Sequence, residues 1–276
     1  MERAPGTGMN GTGHRRPGGP VLGLLRWIGE HVRGFHAAVG AYLLIGLAAV
    51  TAAAAGFAAL ARAVARGRTA AWDEAALRWM GEIDSAAMDG WALEVTALGG
   101  KVVVWMVVLL SSIFLWSSRH HYSAALLWIA ALGAGVLNSV LKVGFDRARP
   151  DVFPWRTPHT GLSSFPSGHA TAAIVVYGTL AFLIARLAPT RLLRLLTWGV
   201  AALIVLLIGV SRVYLGVHYP SDVVGGFITG TAWAVTCGMG IEAVRYFRGR
   251  RPEVAEEEHD LGTGPTETED AGGRPA

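Results

Sequence analysis

Residues 166–187 read PSGHATAAIVVYGTLAFLIARL, a short polar turn followed by a long apolar run. No charged residue interrupts the run until Arg186. About 20 apolar residues are needed for a helix to cross a hydrocarbon layer of roughly 30 Å. The stretch therefore predicts a membrane-spanning helix that begins directly after a polar turn at the membrane surface.

Apolar runs of similar length recur along the chain. Of the 276 residues, 52% are hydrophobic and 16% are charged, whereas soluble domains carry about 25% charged residues. We predict an all-α, polytopic membrane protein, a six-transmembrane-helix bundle. The predicted spans are 38–62, 100–118, 122–145, 169–187, 192–211 and 222–245.

The composition of the flanking segments divides the chain into three parts. Residues 1–36 predict a disordered arm, rich in Gly, Pro and Arg, followed by an interfacial amphipathic helix. Residues 37–246 form the six-span domain, with a lid-like segment over 63–99 and an active-site loop over 146–168. Residues 247–276 predict a disordered acidic tail.

Six spans place both termini on one side of the membrane. That side would carry 14 of the 24 Lys and Arg residues and the other side 10. Because cytoplasmic loops are enriched in Lys and Arg, we predict a multi-pass protein of the inner (plasma) membrane with cytoplasmic termini. The outer ends of the third to sixth spans then face outward.

Three polar patches lie at those outer ends. The first holds Lys142 and Arg149-Pro150, and the second is the Pro166–His169 turn. The third holds Ser211-Arg212, His218 and Asp222. Because successive spans alternate in direction, the three patches reach the same membrane face, where uncompensated charges are costly. We therefore predict one active site at one membrane face.

The residue types suit phosphate chemistry. Fixed cations stabilise the charge that spreads over a phosphoryl group under attack, and a helix N-terminus offers free N–H groups to an anion. An Asp beside a His can fix the tautomer of the imidazole. Each patch alone also fits a structural role: headgroup-anchoring cations, an ordinary helix cap, or a His–Asp turn.

Several classes of function are disfavoured by composition. The single cysteine, Cys237, excludes an intramolecular disulfide and a Cys-rich metal site. No carboxylate cluster has the spacing of a two-metal phosphatase, so we predict a site without metal or cofactor. A net charge of +4 is mild and indicates lipid headgroups rather than nucleic acid as the partner.

Together the three patches resemble the signature of the type 2 phosphatidic acid phosphatase superfamily, in its membrane lipid-phosphate phosphatase branch. The resemblance covers roughly residues 70–245. It implies that His218 is the nucleophile that forms a phosphohistidine, that Asp222 orients it, and that His169 is the general acid and later the base. The same resemblance implies a phosphate-binding role for Lys142, Arg149, Ser167, Gly168 and Arg212.

The leading hypothesis is a metal-independent integral-membrane phosphatase that hydrolyses a lipid phosphate. Phosphatidate, phosphatidylglycerophosphate and undecaprenyl diphosphate all fit this hypothesis. A lipid-linked phosphotransferase with the same site, or a non-catalytic lipid binder or transporter, are the alternatives. The sequence leaves open the substrate, hydrolysis versus transfer, the oligomeric state, and the role of the amphipathic stretch 72–83.

Overall fold

The computed structural model describes residues 20–83, 85–158 and 163–248, with backbone alone for 20–39 and 245–248. The described chain is helical, without strands. The predicted arm before residue 20 and the tail after residue 248 lie outside the described residues. The helices are α1 Pro20–Ala65, α2 Ala70–Glu82, α3 Ala86–Leu98, α4 Lys101–Ser117, α5 His121–Phe145, α6 Gly168–Leu187, α7 Arg191–Tyr214 and α8 Pro220–Arg248.

The predicted all-α, polytopic fold is confirmed. Five of the described helices are long and apolar enough to cross a membrane, and the pair α3 and α4 can form a sixth span. These two helices are bent by 46° to each other at Gly99-Gly100. The span predicted at 100–118 is thus α4, which has only 17 residues and is long and apolar enough to cross a membrane together with α3.

The chain divides into two compact units after Leu43. The first contains the beginning of α1, and the second, residues 44–276, contains every predicted site residue. Within the second unit α6 is the central helix, since it packs against α5, α7 and α8. Large apolar side chains such as Val102, Val143 and Leu195 are 70–86% exposed, as expected for a surface that faces lipid.

Glycines bring α8 close to the beginning of α6. A Cβ at Gly226 would lie 2.6 Å from the backbone oxygen of Ser167, and one at Gly230 would lie 2.9 Å from Ile174 Cγ2. Real Cβ atoms essentially never approach that closely. The absence of side chains on these glycines lets the Ser167 N–H donate to the Asp222 carbonyl at 2.9 Å. The N-terminal ends of α6 and α8 therefore lie side by side.

The segment predicted as lid-like, 63–99, contains α2 and α3. Both helices pack against α7. Arg156, from the loop between α5 and α6, ties this segment to the bundle: its Nη1 donates to the carbonyl oxygens of Met80 and Tyr214. The Tyr214 hydroxyl in turn donates to Asp89 on α3 at 2.8 Å. The segment is thus bonded to the end of the bundle that carries the three patches.

Candidate active site

All eight predicted site residues lie at the same end of the bundle. Lys142 is in the last turn of α5 and Arg212 in the last turn of α7. Gly168 and His169 begin α6 and Asp222 lies in the first turn of α8. Hydrogen bonds also link the loop between α5 and α6 to the α7–α8 connection and to α8. Arg149 Nη1 donates to the Val217 carbonyl, and the Ser167 N–H donates to the Asp222 carbonyl.

His218 and Asp222 form a buried pair, 1% and 0% exposed. His218 Nδ1 lies 3.4 Å from Asp222 Oδ2, and His218 Nε2 lies 3.4 Å from Arg149 Nη1. A carboxylate accepts and a guanidinium donates, so this arrangement favours the neutral tautomer with its proton on Nδ1. The lone pair of Nε2 is then directed toward the cation Arg149.

The first turn of α8 fixes the position of Asp222. Pro220 is the first residue of the helix, where its missing N–H costs nothing. Asp222, two residues later, accepts from the backbone N–H of Tyr219 through Oδ2 at 2.9 Å, which is half of a capping box. Its other oxygen, Oδ1, accepts from Arg147 at 2.5 Å. Both carboxylate oxygens therefore have fixed donors.

Arg149 is 9% exposed and has a fork of donors at the site. Its Nη1 donates to the Val217 carbonyl at 2.6 Å and its Nη2 to the Ser163 carbonyl at 3.0 Å. The ammonium of Lys142 donates to the same Ser163 oxygen at 3.0 Å, so the two cations are neighbours. Burial lowers the pKa of the Arg149 guanidinium below its ordinary value, and the Asp222 carboxylate opposes that shift.

Arg212 and Ser167 each have a buried polar atom without a hydrogen-bond partner among the described residues, Nε and Oγ respectively. Arg212 is 3% exposed and its Nη1 donates to Thr96 on α3 at 2.9 Å. Ser167 occupies the N-cap position of α6, but its side chain makes no capping hydrogen bond. Since buried polar atoms are normally paired, both atoms suit an anionic ligand.

The remaining two site residues begin α6. A Cβ at Gly168 would lie 3.0 Å from Asn138 Nδ2, so a side chain there would crowd α5. His169 is half-buried and packs against the α3–α4 bend, because a Cβ at Gly99 would lie 3.3 Å from its Cδ2. The bend that separates α3 from α4 thus forms one wall beside His169.

Three residues of this site were not predicted from the sequence. Arg147 donates to Asp222, Ser221 and Asp73, which distinguishes it from Arg149, whose fork lies beside His218 Nε2. Asp73 on α2 is 0% exposed, and Thr96 holds Arg212. The one sequence signal for Asp73 is its spacing from Leu77, which places both on the buried face of an amphipathic helix.

Within residues 20–83, 85–158 and 163–248, no group of three or more His, Cys, Asp or Glu side chains is placed to hold a metal ion. The site is instead cationic, with Lys142, Arg149 and Arg212 beside a single His–Asp pair. Metal independence stays a prediction, and metal chelation tests it.

A multi-pass helical bundle that gathers three cations and a buried His–Asp pair at one end defines a polytopic membrane protein with a cationic site, and fixed cations suit a phosphate-like anion. Residues 122–246 match the model of the PAP2 superfamily, and this range contains all eight predicted site residues. The chain belongs to the PAP2 superfamily, and the predicted family is confirmed.

Named relatives agree with this membership. The chain is 34% identical to phosphatidylglycerophosphatase B of Bacillus subtilis over 49% of this chain and 66% of the relative. It is 31% identical to an undecaprenyl-diphosphatase of Sulfolobus acidocaldarius over 52% of this chain and 66% of the relative. The alignments thus cover just under two thirds of each relative.

A solved structure matches over a longer range. The crystal structure of a transmembrane PAP2-type phosphatidylglycerolphosphate phosphatase from Bacillus subtilis superimposes with a TM-score of 0.67 at 27% identity. The match covers 74% of this chain and 98% of that one. The fold is therefore shared beyond the residues of the family model, since 74% of the chain exceeds the range 122–246.

Proposed function

We propose that this protein is an integral-membrane phosphatase that hydrolyses a lipid phosphate through a phosphohistidine on His218. The observation that carries the proposal is the orientation of His218: Nδ1 faces the Asp222 carboxylate and Nε2 faces Arg149, each at 3.4 Å. A neutral imidazole held in this way has its nucleophilic lone pair beside a cation that can bind the phosphate. The names of the relatives support the same class of reaction.

In the first step the lone pair of His218 Nε2 attacks phosphorus. The bond between phosphorus and the leaving-group oxygen breaks, and that oxygen takes the electron pair and a proton from His169. Lys142, Arg149 and Arg212 neutralise the charge on the equatorial oxygens. The Ser167 hydroxyl and the first N–H groups of α6 add hydrogen bonds to the same group. Asp222 stabilises the positive charge that develops on His218.

In the second step water replaces the leaving group. His169, now neutral, takes a proton from the water as its oxygen attacks phosphorus. The N–P bond breaks, its electron pair returns to His218 Nε2, and inorganic phosphate leaves. An acceptor hydroxyl in place of water would give phosphotransfer, so analysis of the products distinguishes hydrolysis from the alternative predicted from the sequence.

The position of the site favours a lipid substrate. The site residues lie at the ends of apolar helices, at the depth where lipid headgroups meet water. Phosphatidate, phosphatidylglycerophosphate and undecaprenyl diphosphate each place a phosphate at that depth. The Lys and Arg distribution supports cytoplasmic termini and a site that faces outward from the plasma membrane.

The test is phosphate release by the purified protein in detergent micelles, with EDTA present, across these three lipids. We expect release from at least one lipid and its loss in the His218→Gln variant. His120→Gln is the matched control, because His120 lies before α5 at the opposite end of the bundle. A wild-type protein that releases no phosphate from any of the three would refute the proposal, as would a fully active His218→Gln variant.

A further inference from the structure

The buried carboxylate of Asp73 reaches the site from α2, outside the residues that match the family model. Asp73 and Leu77, one turn apart, are both 0% exposed, whereas Trp72 and Trp79 on the same helix are 44% and 58% exposed. A buried carboxylate is costly unless it is paired and hydrogen-bonded. The partners of Asp73 therefore indicate why it is buried.

The Asp73 carboxylate accepts hydrogen bonds from the elements that hold the His218–Asp222 pair. Oδ1 accepts from the backbone N–H of Ser221 at 3.0 Å, and Oδ2 accepts from the Ser221 hydroxyl at 2.6 Å. Oδ2 also accepts from Arg147 Nη2 at 2.9 Å. Ser221 is the second residue of α8, and the N–H at this position normally donates to the side chain of the N-cap residue. Tyr219 stands at the N-cap position and does not accept this hydrogen bond, so the Asp73 carboxylate accepts it instead.

Arg147 transmits the position of Asp73 to the catalytic pair. One arm of its guanidinium binds Asp73, and the other donates to Asp222 Oδ1 at 2.5 Å. The guanidinium also lies over the Tyr219 ring, 4.1 Å from the centroid. With Oδ1 fixed by Arg147, Oδ2 of Asp222 is left facing His218 Nδ1. The carboxylate cannot rotate without losing one of these contacts.

We propose that Asp73 is a positioning residue: through Arg147 it holds Asp222 in the orientation that presents His218 for attack. This inference rests on the proposed function of His218. It assigns a task to the predicted lid-like segment, because α2 then completes the support of the catalytic pair. The phosphate-binding cations do not depend on it, since Arg149 and Lys142 are held by Val217 and Ser163.

The Asp73→Asn variant tests this role. An amide has one acceptor oxygen, so it cannot accept from both Ser221 N and Arg147, and a charge-assisted contact is lost at nearly constant volume. We expect kcat to fall roughly ten- to hundredfold, with KM and the inhibition constant of inorganic phosphate within about twofold of wild type. Asp89→Asn is the matched control, since Asp89 on α3 binds Tyr214 and Arg156 rather than the catalytic pair.

A double-mutant cycle separates positioning from general stability. If Asp73 acts through Arg147, Asp73→Asn adds less than about twofold to the loss in an Arg147→Gln protein. Multiplicative losses, or an Asp73→Asn protein with wild-type kcat, would overturn the role of Asp73. If Asp73→Asn does not fold, Arg147→Lys decides: a single ammonium cannot bond both Asp73 and Asp222 as the two arms of the guanidinium do, and an unchanged kcat would overturn the proposal.

The same measurements distinguish this inference from the proposed function. A wild-type protein without phosphatase activity on any of the three lipids refutes the function and the inference together. An active wild type that loses activity in His218→Gln but not in Asp73→Asn refutes the inference alone. Melting temperatures of all variants, measured in the same detergent, identify any that lose activity by unfolding.

Discussion

The Arg149→Lys variant tests whether the site needs the two donor nitrogens of the guanidinium fork or only a positive charge. The guanidinium makes two hydrogen bonds with separate nitrogens, to Val217 O at 2.6 Å and Ser163 O at 3.0 Å. A third contact, at 3.4 Å, reaches His218 Nε2. Lysine keeps a positive charge but concentrates it at one point.

The structure gives the size of the expected effect. The Ser163 oxygen keeps Lys142 as a donor in the variant, so the loss amounts to about one charge-assisted hydrogen bond. Such a bond contributes about 1.5–3 kcal/mol, which corresponds to a fall in kcat/KM of roughly 10- to 150-fold. The Arg149→Ala variant, which also lacks the charge, should lose more.

The assay is release of inorganic phosphate from the best lipid of the three, at several substrate concentrations in detergent micelles. Arg78→Lys is the matched control, because Arg78 forms an exposed pair with Glu74 on α2 and should stay within about twofold of wild type. A kcat/KM for Arg149→Lys that equals the control would refute the reasoning that the fork is needed.

Three further predictions concern packing, anchoring and metals. Gly226→Ala places a Cβ 2.6 Å from a backbone oxygen, so the free energy of unfolding should fall by about 1–3 kcal/mol, measured as a lower melting temperature. Gly178→Ala adds a Cβ with no atom of another helix within 4 Å, so it should not lower the melting temperature. Thr96→Val removes the partner of Arg212 Nη1 and should lower kcat/KM roughly tenfold, with the melting temperature preserved; an unchanged kcat/KM contradicts this anchoring. EDTA should leave phosphate release unchanged, and a loss reversed by added Mg²⁺ would show that the site needs a metal.

Much of the fold could be predicted from the sequence because membrane spans carry a strong local signal. A run such as that after His169 is apolar over a full span length, and its ends are marked by polar residues. The bend at Gly99-Gly100 carries a weaker signal. The sequence predicted a span at 100–118 after the lid-like segment, but not that α4 reaches spanning length only together with α3.

The site was predictable where its residues lie at span ends, since alternating directions bring those ends together. The contacts that orient the site residues were not, because they join distant parts of the chain. Asp73 and Arg147 are 74 residues apart in sequence, and nothing local to either indicates the partner. For the same reason the sequence did not separate Arg147 from Arg149, two residues apart, whose roles differ only through their tertiary contacts.

Ser167 is an exception to the usual capping of a helix N-terminus by a serine side chain. Serine before a helix normally caps it through its side chain, and Ser167 directly precedes α6. The residue has that position, but its hydroxyl makes no capping bond. Close packing of Gly226 against the Ser167 carbonyl and the hydrogen bond from Ser167 N to Asp222 hold the turn instead.

The central claim is that His218 becomes phosphorylated during turnover, and trapping this intermediate tests it most directly. The protein is incubated with ³²P-labelled p-nitrophenyl phosphate, a substrate whose leaving group needs little help from His169, and quenched with detergent at alkaline pH. In a His169→Ala background, where attack by water is slowed, we predict label on a peptide that contains His218, stable in alkali and lost in acid. Label on another residue, or label that persists in a His218→Gln protein, would contradict the account.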